Sequence, residues 1–413
     1  MHLALLAMMA HGPLRRKRRT LGRLALKRFT LLVMLLALLG PVPAADARPP
    51  SPSSGTIPAA EQKAGMLLSY ERIGMPRNYR ATAWRIRYVT RDYRMRPILS
   101  TGVVVLPGTA PSNPAARKFI AWAHPTTGIA WKCAPSLRAT PTKAIGGLND
   151  IVASGLVVAA TDYPGLGTPG PVGYLIGKGQ AYAVIDSVRA ARQIPEVGGG
   201  NSFGLWGYSQ GGHAVLFATQ LAASYAPELS LKGVAAIAPP TDLATLMKAN
   251  LDSVAGRILA AFTLDSWHAK YGAPLNSLLD GVSQKLIEEV AANCVDDLGS
   301  KIDAAAAQKS LDRQFLRTDP GSVSPWKDLM VQNSLFGLNA SAPALIIQGG
   351  ADDIVKPEVT ARFVRGACQA GANVRYVVLK GKGHAGAMQA GHGQAVSWLS
   401  SRLAGEPARG NCR

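Results

Sequence analysis

Short apolar runs recur along the chain at 103–107, 118–123, 156–160, 203–207, 234–238, 344–348 and 374–379, with helix-compatible stretches between them. Runs of this length bounded by turn residues read as strands buried on both faces, and their alternation with helices predicts an α/β chain with a mostly parallel central sheet. Trp84-Arg85-Ile86-Arg87-Tyr88-Val89 instead alternates apolar with polar residues. That is the pattern of a strand with one wet face, expected to pair antiparallel with the run starting at Thr101. Between Pro239 and Pro343 the strand pattern stops. There Leu243, Met247, Leu251, Val254, Ile258 and Leu259, and then Leu278, Leu279, Val282, Leu286, Ile287 and Val290, recur close to helical spacing. Residues 241–332 are therefore expected to form a mainly helical insertion between two core segments, 64–240 and 333–413. Part of it should line a substrate groove and exclude water; the alternative is a lobe whose apolar stripes only pack on the core.

Composition changes this picture little, except at the start of the chain. With 413 residues, 47% of them hydrophobic, and no internal repeat, one large core with an insertion is the simplest organisation. Arg15-Arg16-Lys17-Arg18-Arg19 precedes an apolar stretch from Leu31 to Leu39, and Ala45-Asp46-Ala47 offers a small-residue cleavage site. Residues 1–47 are thus expected to be an export signal, and the Pro- and Ser-rich residues 48–63 a flexible leader. So short an apolar core argues against a retained membrane anchor. Loss of residues 1–47 would remove eight Lys/Arg from 45 and one acid from 25, leaving a formal charge of +13. Such a charge favours contact with anionic surfaces or a lipid interface. The basic residues are scattered without a recognition helix, which argues against nucleic acid. Cys133, Cys294, Cys368 and Cys412 allow three disulfide pairings and have no short metal-ligand spacing. With no dinucleotide fingerprint or phosphate-binding loop either, neither a cofactor nor a metal is expected.

The chemistry gathers around Phe203-Gly204-Leu205-Trp206-Gly207-Tyr208-Ser209-Gln210-Gly211-Gly212-His213. This reads as a buried strand turning sharply into a helix, with Ser209 projecting from the elbow as a nucleophile. A Gly-x-Ser-x-Gly string arises easily by accident in a chain with 43 glycines, and Gly200-Asn201-Ser202-Phe203-Gly204 is a decoy. No apolar strand leads into Ser202, whereas one leads into Ser209, which is followed by helix-compatible Ala214 to Tyr225. A buried or capping serine is the plain alternative. An acid and a histidine follow in the order this fold requires: Asp352 after the strand ending at Gln348, and His384 after the strand 374–379. Asp352 is preferred over Asp353 by its spacing from Gly349, and Asp353 is expected to cap the loop. His392 is expected on the final helix, away from the chemistry. His384 would take the serine proton, with Asp352 holding its tautomer. The backbone N–H of Gln210 would be one oxyanion donor. Thr127, in the loop His124-Pro125-Thr126-Thr127-Gly128, would supply the other, although the same residues suit an ordinary turn.

Taken with Cys133-Ala134-Pro135-Ser136 and Asp162-Tyr163-Pro164-Gly165-Leu166-Gly167, these motifs resemble the secretory lipase family, which is yeast lipase A-like and has bacterial members. The resemblance runs over roughly residues 65–400. It implies an α/β-hydrolase fold with a mostly parallel central sheet and an inserted mainly helical cap, and hydrolysis of acylglycerols or other carboxylic esters. It carries the first oxyanion residue onto Thr127, in place of an aspartate, and the second onto Gln210. It also implies the pairings Cys133 with Cys294 and Cys368 with Cys412. The expectation is a secreted serine esterase or lipase. A secreted peptidase or amidase, and a catalytically inactive binding protein of the same shape, are the alternatives.

Overall fold

The computed structural model describes residues 62–76, 79–295, 311, 315–339 and 342–412. The expected export signal and nearly all of the leader lie outside the described residues. One nine-stranded sheet organises the rest, in the order β1-β2-β3-β5-β4-β6-β7-β8-β9. Its first part is antiparallel: β1 (Leu67–Ile73) pairs with β2 (Ala81–Arg91), β2 with β3 (Pro97–Pro107), and β3 with β5 (Val157–Thr161). From there the pairing is parallel, through β4 (Phe119–Ala123), β6 (Ser202–Tyr208), β7 (Ser230–Ile237), β8 (Ala344–Gly349) and β9 (Val374–Leu379).

Sequence periodicity finds every strand but β1. Its four central residues, Ser69 to Arg72, are exposed, so an edge strand with no core-facing pattern takes its place from pairing with β2 rather than from burial. The strands around Trp84 and Thr101 are also longer than expected, because their largely half-buried ends continue the ladder beyond the stretches that the apolar pattern marks.

Alternate side chains of the central strands enter two cores. Phe119, Ala121, Phe203 and Leu205 face one, against helices α2 (Gly177–Ala191) and α3 (Gln210–Tyr225). Ile120, Trp122 and Trp206 face the other, against α1 (Leu148–Ala153) and the last helix, α9 (His384–Ala404). Trp122 and Trp206 are register partners on β4 and β6, with ring centroids 5.3 Å apart. Each ring also donates its indole N–H to a carbonyl, of Ala144 and Gly146 respectively. Truncating either to alanine would cost on the order of 3–5 kcal/mol.

Between β7 and β8 the described residues form helices α4 (Leu243–Asn250), α5 (Val254–Tyr271), α6 (Gly281–Ala291) and α7 (Trp326–Gln332). Side chains of Asp242, Ser253 and Asp280 cap the first three by accepting from the amides of Thr245, Gly256 and Ser283, each worth about 1 kcal/mol. Helix α8 (Pro357–Gln369) follows β8. Disulfides join Cys133 to Cys294 and Cys368 to Cys412. Among the described residues, no helix is long and apolar enough to cross a membrane.

Candidate active site

Strand β6 ends at Tyr208 and helix α3 begins at Gln210, leaving Ser209 alone to make the turn. It does so at φ 55° and ψ −122°, a region that residues with a side chain rarely occupy. The flanking glycines make the turn possible. A Cβ on Gly207 would lie 2.2 Å from the Gly211 carbonyl oxygen, and one on Gly211 would lie 1.8 Å from the Ala123 carbonyl oxygen. Helix and strands therefore meet backbone to backbone, and the Ser209 amide is fixed by donating to the Ile237 carbonyl at 2.9 Å. Ser202 stands at the opposite end of the same strand, roughly 20 Å of extended chain away.

His384 is the first residue of α9, immediately after the turn that leaves β9. Its Nε2 lies 2.9 Å from Ser209 Oγ and its Nδ1 2.8 Å from Asp352 Oδ2. A carboxylate only accepts, so Nδ1 carries the proton and Nε2 offers its lone pair to the serine hydroxyl. All three side chains are buried. The Tyr208 ring lies alongside the imidazole, centroids 5.0 Å apart.

Four hydrogen bonds hold the Asp352 carboxylate. Oδ1 accepts from the amides of Ile354 and Val355, at 3.0 and 2.8 Å. Oδ2 accepts from His384 and from Gln348 Nε2 at 3.0 Å. The loop-capping role expected of Asp353 thus belongs to Asp352, while Asp353 is exposed. Sequence reasoning missed Gln348, which is fully buried and whose Oε1 accepts from Thr360 Oγ1 at 2.8 Å. The available signal was an amide ending an otherwise apolar strand, where burial demands partners. His392 lies on α9 and meets Asp150 of α1 at 2.8 Å, outside this group.

Thr127 follows β4 and is buried, with no partner for its Oγ1 among the described residues. Its carbonyl accepts from the Val295 amide at 2.9 Å, and Gly128 forms a β-bridge with Cys294. Gly128 has φ 113°, and a Cβ there would lie 2.8 Å from both Cys133 Sγ and the Asn293 carbonyl oxygen. Gln210 is buried at the first position of α3, so its backbone N–H precedes the first intrahelical bond. Behind the loop, Asp162 accepts from Thr101 Oγ1 at 2.8 Å and from the Ser136 amide at 2.9 Å, and burial pushes its carboxyl up. Burial also lowers the pKa of His124, which contacts the Asp162 carbonyl at 3.2 Å. This cluster joins the loop to the Cys-Ala-Pro-Ser segment and to the turn after β5.

Beside Ser209 and Gln210 opens a pocket of about 550 Å³ including its mouth. Leu243, Leu246 and Met247 of α4, Leu259 and Ala260 of α5, and Val355 make most of its wall apolar. Among the described residues no group of three His, Cys, Asp or Glu side chains is placed to hold a metal ion.

A family model described as secretory lipase matches residues 146–411. The chain is 23% identical to lipase A of Moesziomyces aphidis over 325 residues, which is 72% of this chain and 66%, just under two thirds, of that protein. It is 24% identical over 345 residues to a Mycobacterium tuberculosis protein named a probable inactive lipase, covering 79% of this chain and 74% of that one. Among solved structures, Candida antarctica lipase A in its closed state superposes with a TM-score of 0.73 at 18% identity over 89% of both chains, a likeness of fold. The sheet order, the strained serine turn and a family match covering most of the chain agree: this protein is an α/β-hydrolase and belongs to the secretory lipase family.

Proposed function

We propose that this chain is an exported serine hydrolase that cleaves carboxylic esters, acylglycerols foremost, through an acyl-enzyme. One observation carries the reading: the unbroken hydrogen-bonded line from Ser209 Oγ through His384 to Asp352, buried at the mouth of an apolar pocket. In the first half-reaction His384 Nε2 accepts the hydroxyl proton as Oγ attacks the carbonyl carbon. Asp352 holds the imidazole with Nδ1–H toward it and stabilises the imidazolium. The backbone N–H groups of Thr127 and Gln210 donate to the oxyanion. His384 then protonates the departing alcohol, and water activated by the same imidazole releases the acid. The inserted helices act as a cap whose apolar wall receives a hydrocarbon portion of the ester and keeps bulk water from the acyl-enzyme. Among the described residues the pocket wall carries no carboxylate to hold a peptide's amino group, which favours esters over amides. Membership of a secretory family and two disulfides support export. The formal charge of +13 left after loss of the expected export signal supports transient contact with an anionic surface or lipid interface.

The test compares hydrolysis of short- and long-chain glycerol esters by the wild type and by Ser209→Ala, with circular dichroism to verify folding. We expect both activities to fall by about 10⁴-fold or more in the variant. Folded Ser209→Ala protein with undiminished activity would refute the assignment. A folded wild type that neither hydrolyses esters nor reacts with a fluorophosphonate would make this a binding protein.

A further inference from the structure

The pocket beside Ser209 is lined by apolar side chains and a few polar ones, and two of the polar ones are accounted for within the fold. Thr263 Oγ1 donates to the Leu259 carbonyl at 2.8 Å, and the Tyr174 hydroxyl meets Thr126 Oγ1 at 2.9 Å. Asn250, the last residue of α4, is only half accounted for. It is 7% exposed, and its Nδ2 donates to the Ile354 carbonyl at 2.7 Å. A carbonyl cannot donate, so this contact fixes the amide's orientation and leaves Oδ1 as the free end. Oδ1 is buried and has no hydrogen-bond partner among the described residues. Leucine has the same branched outline and would bury no unmatched acceptor.

Two further observations sharpen the point. The Nε2 of Gln210, a residue of the same pocket wall that is 2% exposed, is a buried donor without a partner among the described residues. Gly256, also on the wall, lets the turn between α4 and α5 close tightly: a Cβ there would lie 2.0 Å from the Asn250 carbonyl oxygen and 2.5 Å from its Cβ. The amide is therefore held firmly in the otherwise greasy wall of the pocket that Ser209 also lines.

We propose that Asn250 is a specificity determinant that accepts a hydrogen bond from a hydroxyl group of the substrate, so that the preferred esters are hydroxylated ones. This rests on the serine esterase reading above and deepens it. A hydroxyl donates to Oδ1 while its lone pairs accept from a donor such as Gln210 Nε2, which a plain hydrocarbon does not. The hydroxyl has two chemical sources, a hydroxylated acyl chain or an alcohol portion with a free hydroxyl, as in a partial acylglycerol.

The experiment measures kcat/KM for two pairs of substrates with wild type and Asn250→Leu. One pair is p-nitrophenyl decanoate and its positional hydroxy derivatives; the other is a monoacylglycerol and the methyl ester of the same acid. In one pair the wild type should prefer the hydroxylated member by about tenfold, and Asn250→Leu should erase that preference. The pair that responds identifies the source. Within-enzyme ratios do not depend on the fraction of variant that folds, nor on a general loss caused by releasing Ile354. Equal ratios in the two proteins would overturn the proposal and leave an ordered water as the partner of Oδ1, with Ser209 chemistry untouched. Failure of the wild type to hydrolyse any of these esters would sink the esterase reading, and this inference with it.

Discussion

Val295, shortly after α6, donates its amide to the carbonyl of Thr127, at 2.9 Å. Next to it Cys294 is bonded to Cys133 and bridged to Gly128. The loop proposed to carry one oxyanion donor is thus shaped by a segment that follows Cys133 by 161 residues. Aimed donors stabilise a developing charge only if they are held before it forms. The double variant Cys133→Ser/Cys294→Ser should therefore lose about ten- to a hundredfold in kcat, less than outright removal of an oxyanion donor costs, with a smaller change in KM. An unaltered kcat in steady-state kinetics would mean that the loop holds its own shape.

Gln348 holds Asp352 from behind, and Gln348→Leu removes that donor while orphaning the Val355 carbonyl and the Thr360 hydroxyl. We expect a loss of about 1–3 kcal/mol in denaturant unfolding and a roughly tenfold lower kcat/KM. Retention of both values would show that the two loop amides position Asp352 unaided.

Gly211→Ala should be far more damaging than Ser209→Ala although it removes nothing chemical. The new methyl would lie 1.8 Å from the Ala123 carbonyl oxygen, where only backbone could yield. A cost on the order of 4 kcal/mol or more is expected, seen as a fall in thermal midpoint or loss of soluble protein. A variant as stable as the wild type would contradict the close packing of α3 on β4.

His213 provides a pH prediction. It is completely buried on α3, its Nε2 meets the Asn333 carbonyl at 2.8 Å, and burial lowers its pKa from 6.5 to about 4. Between those values the unfolded chain binds a proton that the folded chain refuses. Its contribution is therefore present above pH 6.5 and is lost as pH falls toward 4, by on the order of 3 kcal/mol. His213→Gln, which can still donate to Asn333, should flatten that acid-side decline in the thermal midpoint. Parallel curves for the two proteins would refute it.

How much of this was legible in one dimension depended on whether the physics was local. The elbow announced itself because a buried strand, two glycines and a serine have to be contiguous to make a turn that tight. Asp352 and His384 could be found because each follows its own apolar strand. Between Asp352 and Asp353 only spacing could choose, since the amides of Ile354 and Val355 that draw one carboxylate inward belong to a folded loop. Strand β1 carries no burial signal at all. Asn250 was hidden by the helical stripe from Leu243 to Leu251, between whose apolar positions a polar residue reads as solvent-facing.

The Cys133–Cys294 link also sets an order of events. A chain emerging N-terminus first exposes Cys133 long before its partner, so β5, β6 and β7 and helices α4 to α6 all have to appear before the bond can close. Closing a loop of 161 residues removes about 5 kcal/mol of conformational freedom from the unfolded chain. Stability and a shaped 124–128 loop thus arrive together, once Cys294 has emerged, while a nascent chain that already carries Ser209 still lacks Asp352 and His384 and stays chemically silent until they follow.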